Sequence, residues 1–479
     1  MKYFLILILF CFYQNGVIYC SNFGEFVAQK FHQFSNKVTS AFKILRQKIS
    51  SLIFPEVDSV ISDARKYANM KQKTKAAFCD FIEEEAAQME NETPGYDKLR
   101  SEPTALMSTL QLATLHGKRM ESHVVTSQDG YLLTLHRLKS PAFLNENTVS
   151  SLNNSTVLLH HGLLGSSADW ILLGPEKSLP YILSNAGCDV WLINARGNYY
   201  SRGHMNKRVD SLEYWNFSFQ EMGEYDLPAI VDYIRNTKNS TDQISFIGHS
   251  LGATAFIIML SSLPEYNNYF RIGVLLAPLV YMTNAIGPLR IITSMAKTPP
   301  EQLLNLLGNG EFLPNRKIPS WIASRYCNGH EMYCLNPLLF LSGSIPEEDS
   351  WDKSLIANVL YHLPAGGSTK TILHIAQLVK SGTFHKFNNE KELFSVNNVK
   401  VPIALFSSRD DWIATTPDVL RLFFSIVNPI DHFAIKHKKI SHTDFVWSPN
   451  ANILIFEKVL YYLENGLTIN STNTNEILG

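Results

Sequence analysis

The chain has too little of several things to belong to some broad classes. Neither sign of charge is in excess: 43 acidic and 42 basic residues leave a formal net charge of −1. That argues against a general binder of nucleic acid or of anionic membrane, which needs a basic field. Beyond the first twenty residues no apolar run is long enough to span a bilayer, so no stable transmembrane anchor is expected. Only six cysteines occur in 479 residues, and packing rather than cross-linking must hold the fold. No internal repeat and no strongly low-complexity segment is found. Apolar residues, by contrast, make up 45% of the chain, which supplies one large core with insertions.

The N-terminus reads differently from the rest. Lys2 precedes the apolar run Tyr3 to Phe10, a polar patch follows at Tyr13-Gln14-Asn15-Gly16, and a cleavage point fits near Cys20-Ser21. Residues 1–20 are therefore expected to be a signal peptide, with a secreted or lysosomal destination; the run is too short for an uncleaved anchor to span comfortably. Cys11 and Cys20 fall in that leader and leave Cys79, Cys188, Cys327 and Cys334. Cys327 and Cys334 enclose a short polar loop, and in an oxidising compartment they are expected to pair; two free buried thiols are the alternative. Glycosylation sequons at Asn91, Asn153, Asn154, Asn216, Asn239 and Asn470 agree with that route. Asn216 stands in an aromatic stretch and is expected to be too buried for modification.

Residues 21–105 form an extension or pro-segment. Phe23, Val27, Phe31, Phe34, Val38, Phe42, Leu45 and Ile49 recur at helical steps, a stripe that fits packing against a main domain. From about residue 106 to 279 strands alternate with helices. Glu121 to Arg137 alternates around Asp129-Gly130 as a hairpin does. Strands are expected at Val157–Leu159, Val190–Ile193, Ile244–Ile247 and Ile272–Leu276, and helices at Asp226–Asn236 and Leu251–Ser262. This predicts an α/β fold, a mostly parallel central sheet with helices on both faces. The alternation stops over residues 280–390, which hold helical pieces with many Pro and Gly; this insertion is expected to be a mainly helical cap and lid above the strand ends. Residues 391–466 return to the core with a strand at 402–406, and 467–479 are a polar tail.

Gly248-His249-Ser250-Leu251-Gly252 fits the nucleophile elbow G-x-S-x-G. The chain leaves a strand, turns at Ser250 and enters a helix, and bulky neighbours would clash at Gly248 and Gly252. Five residues alone are a weak match, but this one lies between an apolar strand and an apolar helix, as the geometry demands. An oxyanion site needs two aimed N–H donors. The N–H of Leu251 is one candidate. His161-Gly162-Leu163-Leu164-Gly165, after an early strand, offers the N–H of Leu163 as the other. His161 itself reads as a structural hydrogen-bonder.

A nucleophilic serine needs a base, and the base an orienting acid, in the order Ser, Asp or Glu, His on sheets that carry this elbow. After the strand at 402–406 come Asp410 and Asp411, either of which serves by position. His442 fits the base best because it follows a strand-like run, Phe433 to Ile440, and precedes the last helix; His437 and His432 are the other late histidines.

Taken together, these segments resemble the acid lipase family of the α/β-hydrolase superfamily, which includes gastric and lysosomal acid lipases. The resemblance covers roughly residues 105 to 465. It is carried by His161-Gly162-Leu163-Leu164, Asn194-Ala195-Arg196-Gly197-Asn198, Phe217-Ser218-Phe219-Gln220-Glu221-Met222, Pro364-Ala365-Gly366-Gly367-Ser368 and His442-Thr443-Asp444-Phe445-Val446-Trp447. It implies Ser250 as nucleophile, Asp411 as acid, His442 as base, and the N–H groups of Leu163 and Leu251 as the oxyanion site. Asp411 is preferred to Asp410 because Asp411-Trp412-Ile413-Ala414 matches the family's spacing. It also implies a cap over an apolar site, a Cys327–Cys334 pair, and neutral lipid esters as substrates, triacylglycerols or cholesteryl esters, met at a lipid–water interface.

Three departures stand out. Leu251 occupies a position where the family usually has Gln, the N-terminal extension is longer, and Cys188, read as a buried apolar residue, replaces a common Tyr. No metal or organic cofactor is needed for acyl transfer of this kind, and no oligomeric state is read from the sequence. Two rival readings are an esterase for short or non-lipid esters, and a non-catalytic lipid-binding protein on the same fold. The second usually goes with a broken triad, and here all three residue types are present.

Overall fold

Gly130, at φ +94°, lets the chain reverse after Asp129, where its N–H donates to the Ser127 carbonyl at 2.9 Å. On either side lie β1 (Met120–Thr126) and β2 (Tyr131–Leu138), paired antiparallel from Met120↔Leu138 to Thr126↔Leu132. The computed structural model that shows this describes residues 107–140, 152–286, 310–312, 355, 358–359, 362–436 and 440–466. The expected signal peptide, the extension, Cys327 and Cys334, His437, Asn91, Asn470 and the polar tail lie outside the described residues, as does most of the expected cap.

A capped helix, α1 (Thr109–Leu115), precedes the hairpin, with Ser108 and Gln111 forming its capping box. After it come β3 (Thr156–His160), α2 (Leu179–Asn185), β4 (Asp189–Ile193) and the short β5 (Gly203–His204). The chain continues through α3 (Leu227–Lys238), β6 (Ile244–His249), α4 (Leu251–Ser262) and β7 (Phe270–Leu276). The described part of the insertion holds β8 (Glu311–Phe312) paired with β9 (Gly367–Ser368), α5 (Thr369–Ser381), and the first of the short strands β10 (His385–Lys386) and β11 (Asn389–Leu393). The core then resumes with β12 (Ile403–Ser408), α6 (Thr416–Ser425), β13 (Pro429–Ile435) and α7 (Glu457–Asn465).

Nine of these strands form one sheet in the order β1-β2-β4-β3-β6-β7-β12-β13, with β5 on β2. Pairing is antiparallel from β1 through β2 to β4 and parallel from β4 to β13. Every residue of β3, β4 and β6 is buried, as expected of unbroken apolar strands in a sheet covered on both faces. Helix α4 is buried from Leu251 to Ser261 and forms part of the core itself. Among the described residues no helix is long and apolar enough to cross a membrane.

Two boundaries differ from those read in the sequence. The last strand runs from Pro429 to Ile435 rather than from Phe433 to Ile440. It is the final strand in the sheet order, and a proline, which has no N–H to give, is tolerated at the start of such an edge strand. Helix α3 is preceded by a π turn, Met222–Asp226. Pro228 cannot donate to the turn before it, and the backbone widens there. Gly223 in that turn lies against α4: a Cβ on it would stand 2.6 Å from Ile258 Cγ2 and 2.7 Å from the Ala255 carbonyl oxygen.

Candidate active site

Strand β6 ends at His249 and the chain turns at Ser250, whose φ of +54° and ψ of −119° are unusual for a residue with a side chain. The turn is held by the Ser250 N–H, which donates to the Leu276 carbonyl at the end of β7, 2.9 Å away. The flanking glycines have steric reasons. A Cβ on Gly248 would lie 2.8 Å from Ala253 N and Cα, and one on Gly252 would lie 2.6 Å and 2.7 Å from the carbonyl oxygens of His160 and His161. Those contacts are with backbone, which cannot move aside: the bare Gly252 lets α4 start against the end of β3, and the bare Gly248 lets the chain turn back beside the first turn of α4.

The loop after β12 delivers Asp411. Its Oδ1 accepts from the N–H groups of Ile413 and Ala414, both at 2.8 Å, which aims Oδ2 outward from the loop. The turn Ser441–Asp444, after β13, delivers His442. Asp444 Oδ2 accepts from both the N–H and the hydroxyl of Ser441, at 2.8 and 2.6 Å, and braces the residue next to the imidazole. His442 Nδ1 lies 2.8 Å from Asp411 Oδ2, and its Nε2 lies 2.7 Å from Ser250 Oγ. A carboxylate only accepts, so Nδ1 carries the proton and Nε2 is left to accept from the serine hydroxyl. Ser250, Asp411 and His442 are 2%, 2% and 5% exposed, so these three hydrogen-bonded side chains are shielded from solvent.

The other candidates fall elsewhere. Asp410 is half-buried, with its N–H on Ser408 Oγ. His432 is engaged with the Ser407 hydroxyl at 2.8 Å, between β12 and β13. His161 is a strut: its Nδ1–H donates to the Gly162 carbonyl at 2.7 Å and its Nε2 accepts from the Ala195 N–H at 3.1 Å. Burial pushes its pKa down to about 4, so it is neutral.

The turn after β3 lies against the serine. A Cβ on Gly162 would stand 3.0 Å from His249 Nδ1 and 3.1 Å from Ser250 Cβ, so this backbone approaches as closely as a glycine allows. Among the described residues, neither the Leu163 N–H nor the Leu251 N–H donates to any group. Leu251 opens α4, where an N–H has no partner within the helix and the dipole favours negative charge. Behind the turn, Asp169 is buried with Oδ1 unpartnered, and burial pushes its carboxyl up to about 8.

Two features of the site were not assigned from the sequence. His249 donates from Nε2 to the His442 carbonyl at 2.8 Å, and burial, with the neighbouring His442, pushes its pKa down to about 3. Its signal was a polar residue inside the apolar elbow. Pro364–Ser368, read only as a family match, supplies Ala365, whose N–H donates to the Leu164 carbonyl at 2.6 Å and whose carbonyl accepts from the Tyr199 N–H at 2.8 Å. The strap thereby holds the turn that carries Leu163.

Asn153, Asn154, Asn216 and Asn239 are all exposed. For Asn216 this corrects the expectation of burial: Trp215 and Phe217 turn into the core and Asn216 between them turns out. Cys188 is a free, buried thiol that burial pushes up to about 12. Among the described residues no group of three or more His, Cys, Asp or Glu side chains is placed to hold a metal ion.

Comparison with known proteins gives a consistent answer. Residues 155–438 match the family described as alpha/beta hydrolase fold, and residues 109–174 match a partial alpha/beta-hydrolase lipase region. The chain is similar to Lipase 3 of Drosophila melanogaster, 34% identical over 364 residues, which cover 73% of this chain and 91% of that one. It is 32% identical to human Lipase member K over 390 residues, covering 78% and 95% of the two chains. It is also 32% identical to human Lysosomal acid lipase/cholesteryl ester hydrolase over 375 residues, covering 75% and 91%.

Proposed function

The chain belongs to the α/β-hydrolase family and to the lipases within it, and from that premise we propose that it hydrolyses neutral lipid esters through an acyl-enzyme on Ser250. As a lipase-family member it is a carboxylic ester hydrolase acting on lipid esters. The observation that carries the assignment of residues is the single imidazole of His442, in hydrogen-bond contact with Ser250 Oγ on one side and Asp411 on the other.

In the first half-reaction Ser250 Oγ attacks the ester carbonyl carbon while its proton passes to His442 Nε2. The carbonyl π electrons move to oxygen, and the N–H groups of Leu163 and Leu251 hold that oxyanion. Their lack of any other acceptor among the described residues supports this role, because a donor already engaged would have to break a bond first. The oxyanion collapses, the ester C–O bond breaks, and His442 returns its proton to the departing alcohol. In the second half, water gives its proton to His442 and attacks the acyl-serine. The fatty acid leaves, and the proton goes back to Ser250 Oγ. Asp411 holds Nδ1–H throughout and offsets the positive charge on the imidazole.

Triacylglycerols and cholesteryl esters are the proposed substrates, taken at a lipid–water interface. The name of the lysosomal relative supports the second of these. Leu251, buried beside the nucleophile where the resembled family has Gln, retains the backbone donor but adds apolar surface. A signal peptide at residues 1–20, the Cys327–Cys334 disulfide and glycans on the exposed sequons fit a secreted or lysosomal route.

A fluorophosphonate probe tests the proposal. The wild type labels and Ser250→Ala does not; no labelling of the wild type, or equal labelling of both, sinks the assignment. Hydrolysis of emulsified triolein and cholesteryl oleate, set against a short soluble ester, then defines the substrate class.

A further inference from the structure

The proposed reaction makes no use of His249, although this residue touches more of the site's parts than any spacer needs to. We propose that His249 is a positioning residue that fixes the backbone of His442, and so its imidazole, relative to Ser250. The inference rests on the reading of Ser250 and His442 given above.

The bond to the His442 carbonyl is 2.8 Å long and joins the residue just before the serine to the residue that takes its proton. A carbonyl only accepts, so His249 must carry its proton on Nε2. That leaves Nδ1 facing Gly162, where a Cβ would lie 3.0 Å from it, so the same ring backs the turn that carries Leu163. The rings of His249 and His442 lie 5.0 Å apart, and the Phe445 ring lies 6.4 Å from that of His249. His249 is 8% exposed, and its low pKa keeps it neutral. No second positive charge then faces the His442 imidazolium as it forms. One neutral side chain thus ties together three segments that approach one another only in the folded sheet: the elbow after β6, the base turn after β13 and the donor turn after β3.

Removing the donor leaves the His442 carbonyl without this partner and lets its peptide turn. The Nε2–Oγ contact is then lost for part of the time, which slows chemistry and leaves substrate binding alone. His249→Phe keeps the ring but has no donor. His249→Gln places an amide N–H near the position of Nε2. His249→Asn has the same amide but falls short.

Each variant is titrated with the fluorophosphonate probe, and kcat is expressed per labelled serine on a soluble ester. The expected result is a fall in kcat of about tenfold in His249→Phe at near-constant KM, recovered to within about threefold in His249→Gln and not in His249→Asn. A general loss of stability would lower the number of labelled sites and leave kcat per site unchanged. Equal kcat in the wild type and His249→Phe, a loss carried by KM, or a His249→Gln as slow as His249→Asn overturns the proposal. If His249→Phe does not fold, the contrast between Gln and Asn decides alone. A wild type that takes no label removes the reading of Ser250, and this inference falls with it; a labelled wild type with equally fast variants removes the inference only.

Discussion

Replacing Asp411 by Asn isolates what the acid contributes. Asp411 makes three bonds with two oxygens: Oδ1 accepts from the Ile413 and Ala414 N–H groups, and Oδ2 from His442 Nδ1–H, each at 2.8 Å. Asn has the same shape but only one acceptor. If its oxygen stays on the two backbone donors, its NH₂ faces His442. Nδ1 must then accept, the imidazole proton moves to Nε2, and Nε2 meets the Ser250 hydroxyl as a donor that cannot take its proton. If the amide turns over to restore the working tautomer, its NH₂ faces two N–H groups. Two backbone N–H groups are then left buried without an acceptor, at about 1–3 kcal/mol each. The working arrangement therefore lies about 2–6 kcal/mol above the idle one, and kcat falls by roughly 30-fold to 10⁴-fold. Initial rates on a soluble ester, with the phosphonylation rate of Ser250 in parallel, measure this directly. Circular dichroism establishes that the variant is folded. A kcat within about tenfold of the wild type would refute the argument, because it would mean that the Asp411 contacts do not set the His442 tautomer.

Two further outcomes follow from contacts around the elbow. Gly252→Ala forces a methyl to within 2.6 Å of the His160 carbonyl oxygen and 2.7 Å of that of His161, and neither is free to yield. It should destabilise the fold by about 1–3 kcal/mol in chemical denaturation and slow turnover by moving Ser250 and the Leu163 turn apart; unchanged stability with unchanged kcat would contradict the packing described. Asp169 ionises near its ordinary value, 3.8, in the unfolded chain and near 8 in the folded protein. Between those values the folded state binds the extra proton, so stability falls as pH rises from about 4 to about 8, by up to about 1.4 kcal/mol per unit, and is level above. Asp169→Asn is neutral throughout. Its advantage over the wild type should be absent near pH 4 and grow towards pH 8 in urea unfolding, and parallel pH curves for the two proteins would rule this out.

The parts of the molecule governed by local rules were readable from the residues. The hairpin at Asp129-Gly130, the buried strands, the helix after Ser250 and the order serine, acid, histidine all follow from periodicity, turn chemistry and the needs of one reaction. Choosing Asp411 over Asp410 took a family resemblance, because adjacent aspartates look alike until the loop shows which one is caged by the Ile413 and Ala414 N–H groups. Asn216 was misjudged because aromatic neighbours imply burial on average, whereas the tight turn at Asn216, closed by the Phe217 N–H donating to the Trp215 carbonyl, leaves both rings buried and the Asn side chain exposed. The start of β13 was misplaced because Pro429 reads as a breaker until its place at the sheet's edge is known. His249 and Ala365 escaped notice because their partners, the His442 and Leu164 carbonyls, lie 193 and 201 residues away along the chain, and backbone acceptors have no signature in a sequence.

The spacing of Ser250 and His442 has a consequence during synthesis. They are 192 residues apart, and Asp411 lies between them. At about 5–20 residues per second, a ribosome makes the serine roughly 10–40 s before the histidine that is to activate it. On the proposed reading, the growing chain therefore carries an idle hydroxyl. The newborn polypeptide is harmless to the lipids around it until β12 and β13 have joined the sheet, and a chain truncated before residue 442 remains so permanently.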